Sequence, residues 1–237
     1  MFGPFVWQIA TTASDANRFA LRAARAVTGK PKILFFAACY HGAVDDAMVR
    51  EVDGQTVARP GLVGQVVDLS VTSRVAEFND LAGVEAALAH GDVAAVITEP
   101  VMTNSCMVLP DPGFHEGLRA LTRKHGALLI IDETHTICTG PGGYTRAHGL
   151  EPDMLTLGKP IASGVPAAVY GFTAEVGRRI RAVMEREVAD VGGIGGTLAG
   201  NALSIAAMKA TLENVLTEDA YRHTIALAER FTAGVEG

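Results

Sequence analysis

The segment Leu128-Leu-Ile-Ile-Asp-Glu-Thr134 is a run of apolar residues that ends in two acids. An apolar run of this length, bounded by turn residues, predicts a buried strand. A second run, Leu155-Thr-Leu-Gly-Lys-Pro160, is shorter and ends in a lysine between a glycine and a proline. Functional residues of open α/β sheets lie just beyond the carboxyl ends of strands. Asp132 and Lys159 are therefore expected to reach one crevice.

Around these two segments, apolar runs alternate with stretches of helical periodicity. The predicted strands cover residues 6–11, 33–38, 62–69, 93–98, 128–132, 154–157 and 167–172. The predicted helices cover residues 16–27, 81–89, 114–125, 201–216 and 219–234, with Ser14 as the N-cap of the first. This alternation indicates an α/β fold with a mostly parallel central sheet and helices on both faces.

Composition limits the classes of function. The 237 residues are enough for one large domain or two small ones. The formal net charge of −6 argues against nucleic acid as a main partner, because phosphate contacts need clustered lysines and arginines. No stretch approaches the roughly 18 uninterrupted apolar residues of a membrane helix, so no membrane partner is expected.

The number and spacing of the cysteines indicate the redox environment in which the protein is found. Cys39, Cys106 and Cys138 are odd in number and widely spaced, which favours free thiols in a reducing environment over a disulfide framework. We therefore expect a cytoplasmic protein. No Cys or His pair has the spacing of zinc ligands, so no metal site is expected.

Asp132 and Lys159 together suit an enzyme that uses pyridoxal 5′-phosphate (PLP). A buried lysine would form the Schiff base with this cofactor, and a buried carboxylate would pair with the pyridinium nitrogen. Taken alone, each residue has an ordinary interpretation. Lys159 could be a surface lysine in a Gly-Lys-Pro turn, and Asp132 could be the N-cap of a helix.

Other residues at predicted strand ends could complete such a site. Ser14 stands at a helix N-terminus, where free N–H groups and the helix dipole favour a phosphate. The ring of Tyr40 could stack on a pyridine ring, or lie in the core. His41 and His135 could each contact the cofactor or serve as hydrogen-bonded loop residues. Glu99, at the end of another strand, is a secondary candidate for holding the substrate.

With these residues placed, the chain resembles the class-III aminotransferases, which are PLP enzymes of fold type I. The resemblance rests on five motifs in the family's order: Thr12-Ala-Ser-Asp-Ala-Asn17, Tyr40-His-Gly42, Asp132-Glu-Thr-His135, Leu157-Gly-Lys159 and Gly196-Thr197. It implies that Ala13 and Ser14 belong to a phosphate loop, that the ring of Tyr40 lies on the cofactor beside His41, and that Lys159 carries the cofactor. It also implies that Thr197 reaches the phosphate of a neighbouring subunit in a homodimer.

The chain departs from the family pattern at two positions and in its length. Ala13 stands where the family usually has glycine, and His135 replaces a glutamine beside the phenolic oxygen of the cofactor. Family members are considerably longer. Residues 1–237 are therefore expected to form one large PLP-binding domain, in which the last helix, about 219–237, leads towards a small domain.

The resemblance implies PLP-dependent amino-group transfer by a transaminase or an aminomutase, through a Schiff base on Lys159. The expected partners are a small-molecule amino donor and a carbonyl acceptor. One alternative is an incomplete or non-catalytic PLP-binding domain of the same fold. Another is a different PLP reaction, such as decarboxylation or racemisation, because the shared residues serve all of them.

Overall fold

The computed structural model describes residues 2–186 and 193–236. The strands within these ranges are β1 (Val6–Ala10), β2 (Lys32–Phe36), β3 (Val49–Val52), β4 (Gln55–Ala58), β5 (Ser73–Ala76), β6 (Val93–Thr98), β7 (Leu128–Asp132), β8 (Met154–Leu157) and β9 (Ala168–Phe172). The α-helices there are α1 (Ala13–Thr28), α2 (Leu81–Leu88), α3 (Phe114–His125), α4 (Gly143–Ala147), α5 (Ala174–Arg186), α6 (Ala202–Asn214) and α7 (Glu218–Glu236).

Seven strands form one sheet in the order β1-β9-β8-β7-β6-β2-β5. Strands β8, β7, β6, β2 and β5 run parallel to one another, whereas β9 is antiparallel to both β8 and β1. Six of the seven strands therefore point the same way, which confirms the predicted mostly parallel sheet. Their carboxyl ends lie along one edge, where α/β folds place their binding sites.

The central strands β6 and β7 are buried at every position. Strands of a parallel sheet that is covered on both faces are continuous apolar runs of this kind. Helix α1 packs across β9, β8, β7 and β6. Its buried face carries small residues, which allow the helix to approach the sheet closely: Ala16, Ala20, Ala23 and Ala24.

The beginning of α1 differs from the prediction. Its N-cap is Thr12, two residues before Ser14, and the Thr12 hydroxyl accepts a hydrogen bond from the N–H of Asp15 at 3.1 Å. Thr12 has the extended backbone that an N-cap needs, with φ −136° and ψ 159°. The hydroxyl of Ser14 instead accepts from the N–H of Ala43 at 2.9 Å.

The strand predicted at residues 62–69 was wrong. This segment is a loop in which Val63 and Val66 are more than nine-tenths exposed, and positive φ angles at Gly61 and Gly64 interrupt any extended run. The edge strand of the sheet is β5, whose short sequence begins with Ser73 and Arg74 and therefore lacks a strong apolar signal. None of the described helices is long and apolar enough to cross a bilayer.

Candidate active site

A cavity of about 340 Å³ opens at the edge where the parallel strands end. Five strand ends contribute to it, because β1 leads into the start of α1 and the loops after β2, β6, β7 and β8 follow at the same edge. Eight of the nine residues singled out from sequence line the cavity, namely Ala13, Ser14, Tyr40, His41, Glu99, Asp132, His135 and Lys159. Thr197, the ninth, is exposed and does not line this cavity.

Asp132 is the most heavily hydrogen-bonded of these residues. It is 4% exposed, and its Oδ2 accepts from Asn17 Nδ2 at 2.9 Å and lies 3.0 Å from His41 Nδ1. Its Oδ1 accepts from the N–H of Thr134 at 3.1 Å. Burial by itself would raise the pKa of Asp132, but the bonds from His41, Thr134 and Asn17 lower it to about 2. The next helical turn has His135 as its cap residue, so Asp132 is not the helix N-cap considered from sequence.

His41 acts as a partner of Asp132. Its ring is 2% exposed, and Nε2 has no hydrogen-bond partner among the described residues. Burial by itself would lower the pKa of His41, yet Cys39 and the carboxylate of Asp132 together raise it. The pair therefore favours an imidazolium next to an ionised carboxylate.

Asn17 is a site residue that the sequence reasoning missed. It is fully buried, and its Nδ2 donates to Asp132 and to the carbonyl of His41 at 3.0 Å. Asn17 lies three residues after Ser14, so both project from one face of α1. That helical spacing is the signal that could have identified it.

The start of α1 has the features of an anion site. Residues 11–14 line the cavity, and the first N–H groups of the helix have no partner within the helix itself. Gly42 packs against this turn with φ +84°, and a Cβ at Gly42 would lie 2.1 Å from Ser14 Oγ. Only glycine combines this backbone with so close an approach.

Lys159 follows β8 directly and lines the cavity, but it is exposed, whereas a buried lysine was expected. The reason is local. Strand β8 ends at Leu157, and Lys159 already belongs to a short 3-10 turn outside the sheet. Its φ of +46° is unusual for a residue with a side chain, and such conformations concentrate at functional sites. Lys159 has no hydrogen bond or ion pair with the described residues.

Tyr40 also faces open space. It is 44% exposed and lines the cavity, so the alternative of a core tyrosine was wrong. A tyrosine ring with a free face beside a cavity is suited to stacking on a planar ring.

His135 lies in a second polar group on the cavity wall. Thr103 Oγ1 is 2.5 Å from Glu99 Oε2 and also hydrogen-bonds with His135 Nδ1. Glu99 is 4% exposed, and its Oε1 is buried without a partner in the part of the chain that the structure describes. Thr103 was not identified from sequence, because a threonine in a loop carries no distinctive pattern.

The cavity wall suits a polar ligand. Four buried side-chain atoms of cavity residues lack a partner within the described ranges: Asn17 Oδ1, His41 Nε2, Glu99 Oε1 and Thr134 Oγ1. Buried polar atoms are normally hydrogen-bonded, so their grouping here indicates a place for polar groups from outside the chain. Four features of the cavity match the groups of PLP. The helix N-terminus suits its phosphate and the ionised carboxylate suits its ring nitrogen. The free aromatic face suits the face of its ring, and the amine suits its aldehyde.

The fold and this set of residues define a PLP-dependent enzyme domain of fold type I. Comparison with known proteins gives the family, because the model of the class-III aminotransferases matches residues 7–236. The chain therefore belongs to the class-III aminotransferases.

Individual relatives agree with the family. The chain is 37% identical over 234 residues to glutamate-1-semialdehyde 2,1-aminomutase of Neisseria gonorrhoeae, covering 96% of this chain and 53% of the relative. It is 54% identical, with a TM-score of 0.93, to the crystal structure of a glutamate-1-semialdehyde aminomutase from Pseudomonas aeruginosa PAO1, covering 97% of this chain and 52% of that one. A lysine-to-alanine variant of a glutamate-1-semialdehyde aminomutase from the same strain, solved in complex with PMP, gives the same TM-score of 0.93 at 53% identity over the same shares of both chains. The chain thus spans about half the length of these relatives.

Proposed function

We propose that this chain binds PLP in the cavity at the strand ends and serves PLP-dependent amino-group transfer, as a transaminase or an aminomutase. The observation that carries the proposal is Asp132, a buried carboxylate held ionised by three donors, on the same cavity as the free amine of Lys159. Cationic partners stabilise a buried ionised carboxylate; His41 is one, and a protonated ring nitrogen of the cofactor would supply a second from the cavity side.

Under this proposal, the cavity residues have separate roles in binding the cofactor. The ionised Asp132 keeps a proton on the ring nitrogen, while Asn17 and His41 hold the carboxylate in place. The N–H groups at the start of α1, including those of Ala13 and Ser14, bind the phosphate. The exposed ring of Tyr40 would stack on one face of the cofactor ring.

Lys159 has two tasks, both at Nζ. It would hold the cofactor covalently, and as a free amine it would accept at Nζ the proton that the substrate carbon releases and return it in the next step. When bound, the cofactor supplies a protonated ring that withdraws electrons from the substrate carbon. The substrates are a small-molecule amino donor and a carbonyl acceptor.

Two further proposals concern the surroundings of the site. The exposed position of Thr197 supports a homodimer in which this residue serves the phosphate of the neighbouring subunit. The three cysteines are free thiols, which supports the cytoplasmic location expected from the sequence.

The second candidate function is a PLP-binding domain without catalysis. The specific observation in its favour is that the chain covers about half of its relatives' length. Both candidates predict cofactor binding, and only the first predicts turnover.

The test has two parts: chemical trapping of the cofactor on its lysine, and a half-reaction with an amino donor. Borohydride reduction of the PLP-loaded chain, digestion and mass spectrometry should place a pyridoxyl group on the peptide that contains Lys159. Lys159→Ala should abolish the adduct, whereas Lys209→Ala, a control on an exposed helical lysine, should leave it unchanged. An adduct on another lysine would overturn the assignment. A panel of amino donors then tests turnover by the change in cofactor absorbance, and binding without any such change favours the second candidate.

A further inference from the structure

The loop that carries Lys159 is weakly held by its own backbone. Residues 158–167, here called the lysine loop, connect β8 to β9. Within it, the N–H groups of Ile161, Ser163 and Val165 each bond the carbonyl three residues earlier, at 3.4, 3.2 and 3.0 Å. The first two distances are at or beyond the long end of the usual range, so these bonds do little to fix the loop.

The same loop contains left-handed backbone at two residues that have side chains. The φ angle is +46° at Lys159 and +50° at Ser163, and it is +94° at the adjoining Gly164. Such conformations are costly for residues other than glycine and persist only where the surroundings hold them. Ser163, Gly164 and Pro166 are exposed, so burial among apolar side chains does not hold this part of the loop. Contacts from a neighbouring element are therefore needed.

Helix α6 packs against the lysine loop with a face that is mostly polar. Its buried residues are Ser204, Met208 and Thr211, which recur at the spacing of one helix face. Leu203 and Leu212 of the same helix are exposed. A helix that packed here for apolar burial alone would turn its leucines inwards. The observed orientation instead brings two hydroxyl groups to the loop.

Both hydroxyl groups bond the loop. The hydroxyl of Ser204, which is 4% exposed, donates to the carbonyl of Pro166 at 2.7 Å. The hydroxyl of Thr211, which is 3% exposed, forms a hydrogen bond of 2.9 Å with the hydroxyl of Ser163. The two anchored residues lie on either side of Gly164 and Val165, which line the cavity together with Pro166.

The direction of the Ser204 bonds depends on no titratable group. Oδ1 of Asn201 accepts from the N–H of Ser204 at 2.9 Å, which fixes the orientation of the amide. Nδ2 of Asn201 then donates to the hydroxyl oxygen of Ser204 at 2.9 Å. Because a carbonyl oxygen can only accept, the single proton of the Ser204 hydroxyl points to Pro166. Ser204 thus connects the N-terminus of α6 to the wall of the cavity.

We propose that Ser204 and Thr211 are positioning residues that hold the lysine loop, through Pro166 and Ser163, in the backbone conformation that places Lys159 at the cavity. The holding of the loop depends on residues of this chain alone. Its consequence for the cofactor rests on the proposed function, because only there does Lys159 carry a ligand.

The first test measures hydrogen exchange of the full 237-residue chain without cofactor, by mass spectrometry of peptides from the lysine loop. Ser204→Ala removes the donor to Pro166. Thr211→Val removes the hydroxyl that bonds Ser163 and keeps the shape of the side chain. Each should speed the exchange of the loop amides roughly twofold to tenfold, the usual effect of losing one neutral hydrogen bond. Thr211→Ser keeps a hydroxyl and should exchange like the wild type.

A matched control separates this role from a general loss of stability. Thr122 of α3 is fully buried, and its hydroxyl donates to the carbonyl of Arg119 in its own helix at 2.9 Å. Thr122→Val should therefore speed exchange in α3 and leave the lysine loop unchanged. Circular dichroism verifies folding, and if Ser204→Ala does not fold, Thr211→Val gives the decision. Unchanged exchange of the loop in the folded variants, or equal acceleration in Thr122→Val, would overturn the proposal.

A second measurement follows Lys159 itself. With PLP in excess, borohydride traps the fraction of bound cofactor that is attached to this lysine. The ratio of attached to unattached cofactor should fall roughly twofold to tenfold in Ser204→Ala and stay unchanged in Thr122→Val. An unchanged ratio in a variant whose loop exchanges faster would show that the hold does not extend to Lys159, and would overturn the positioning role. If the wild-type chain binds no PLP, the proposed function fails, while the exchange result still decides whether α6 holds the loop.

Discussion

The methyl group of Ala13 lies 2.8 Å from the position that a Cβ on Gly158 would occupy. Ala13 is the first residue of α1, and Gly158 directly precedes Lys159. The start of the helix and the loop that carries the lysine are therefore in close contact. An alanine at position 13 leaves no space for a side chain at position 158.

We expect Gly158→Ala to destabilise the chain by about 1–3 kcal/mol, the usual cost of forcing extra atoms into a packed site. It should also weaken PLP binding, because relief of the clash moves Lys159 or the start of α1. The double variant Ala13→Gly/Gly158→Ala removes the clashing methyl group and should recover most of both losses. Denaturant unfolding and PLP titration of the four members of this cycle measure the coupling. Additive effects would show that the two residues do not interact.

Asp132→Asn should retain measurable PLP binding but lose amino-group transfer. An amide cannot stabilise a proton on the ring nitrogen, and loss of such an electrostatic contact costs about 100-fold to 1,000-fold in rate. The amide NH₂ would also face the donors Asn17 and His41, so the chain should lose about 1–3 kcal/mol of stability. Stopped-flow half-reactions with an amino donor provide the measurement. Asp111→Asn, on an exposed side chain, is the control, and a near-normal rate in Asp132→Asn would refute the role.

The pair of His41 and Asp132 should make stability depend on pH in a defined direction. The pKa of His41 is raised from 6.5 to about 10, so its stabilising contribution is complete below pH 6.5 and is lost as the pH rises through about 10. The pKa of Asp132 is lowered from 3.8 to about 2, so its contribution is present above pH 3.8 and is lost as the pH falls through about 2.

The variant His41→Gln tests the predicted loss of stability at alkaline pH. The difference in unfolding free energy between wild type and variant should narrow steadily between pH 6.5 and 10, because only the wild type loses a charged partner of Asp132. Urea unfolding at a series of pH values gives this difference. The exposed His90 supplies the control variant His90→Gln. Parallel curves for wild type and His41→Gln would rule out the coupling.

Glu133, the neighbour of Asp132, accepts hydrogen bonds from the loop that follows it, and a substitution can measure how much these bonds stabilise the chain. Its buried carboxylate accepts from the hydroxyl of Thr136 at 2.5 Å and from the N–H groups of Thr145 at 2.5 Å and Tyr144 at 3.2 Å. All three groups donate, so an amide NH₂ would leave at least one of them facing another donor. Glu133→Gln should cost about 1–3 kcal/mol in unfolding free energy, whereas Glu175→Gln on the surface should be close to neutral. A neutral result at position 133 would mean that the loop tolerates rearrangement.

If the proposed homodimer forms, a substitution at the exposed Thr197 should weaken the binding of PLP. If Thr197 bonds the phosphate of a neighbouring subunit, Thr197→Val loses a hydrogen bond to a charged group, worth about 1.5–3 kcal/mol, and should bind PLP at least about tenfold more weakly. Thr224→Val, an exposed threonine on α7, should bind PLP normally. Sedimentation should show a dimer. A monomer that binds PLP tightly would contradict the shared site.

The strands whose bounds the sequence predicted at both ends are those buried along their whole length. Strands β6, β7 and β8 begin and end where the apolar runs do, because each position faces a covered side of the sheet. The prediction was wrong at residues 62–69, where valines are exposed in a loop. It also missed the β3–β4 hairpin, although Asp53 and Gly54 at its turn form the usual two-residue hairpin signal, with φ angles of +50° and +75°.

Sequence alone determined which chemical groups stand at strand ends, because burial periodicity and turn residues are local properties of the chain. It therefore identified Asp132, Lys159 and the start of α1 as neighbours at one edge. The tertiary structure decided which groups hydrogen-bond with them. Asn17 reaches Asp132 across 115 residues of sequence, and Thr103 reaches His135 across 32. Such contacts depend on strand order and on loop paths, which no local pattern encodes, and so only the folded chain shows why Asp132 is ionised and how His135 is oriented.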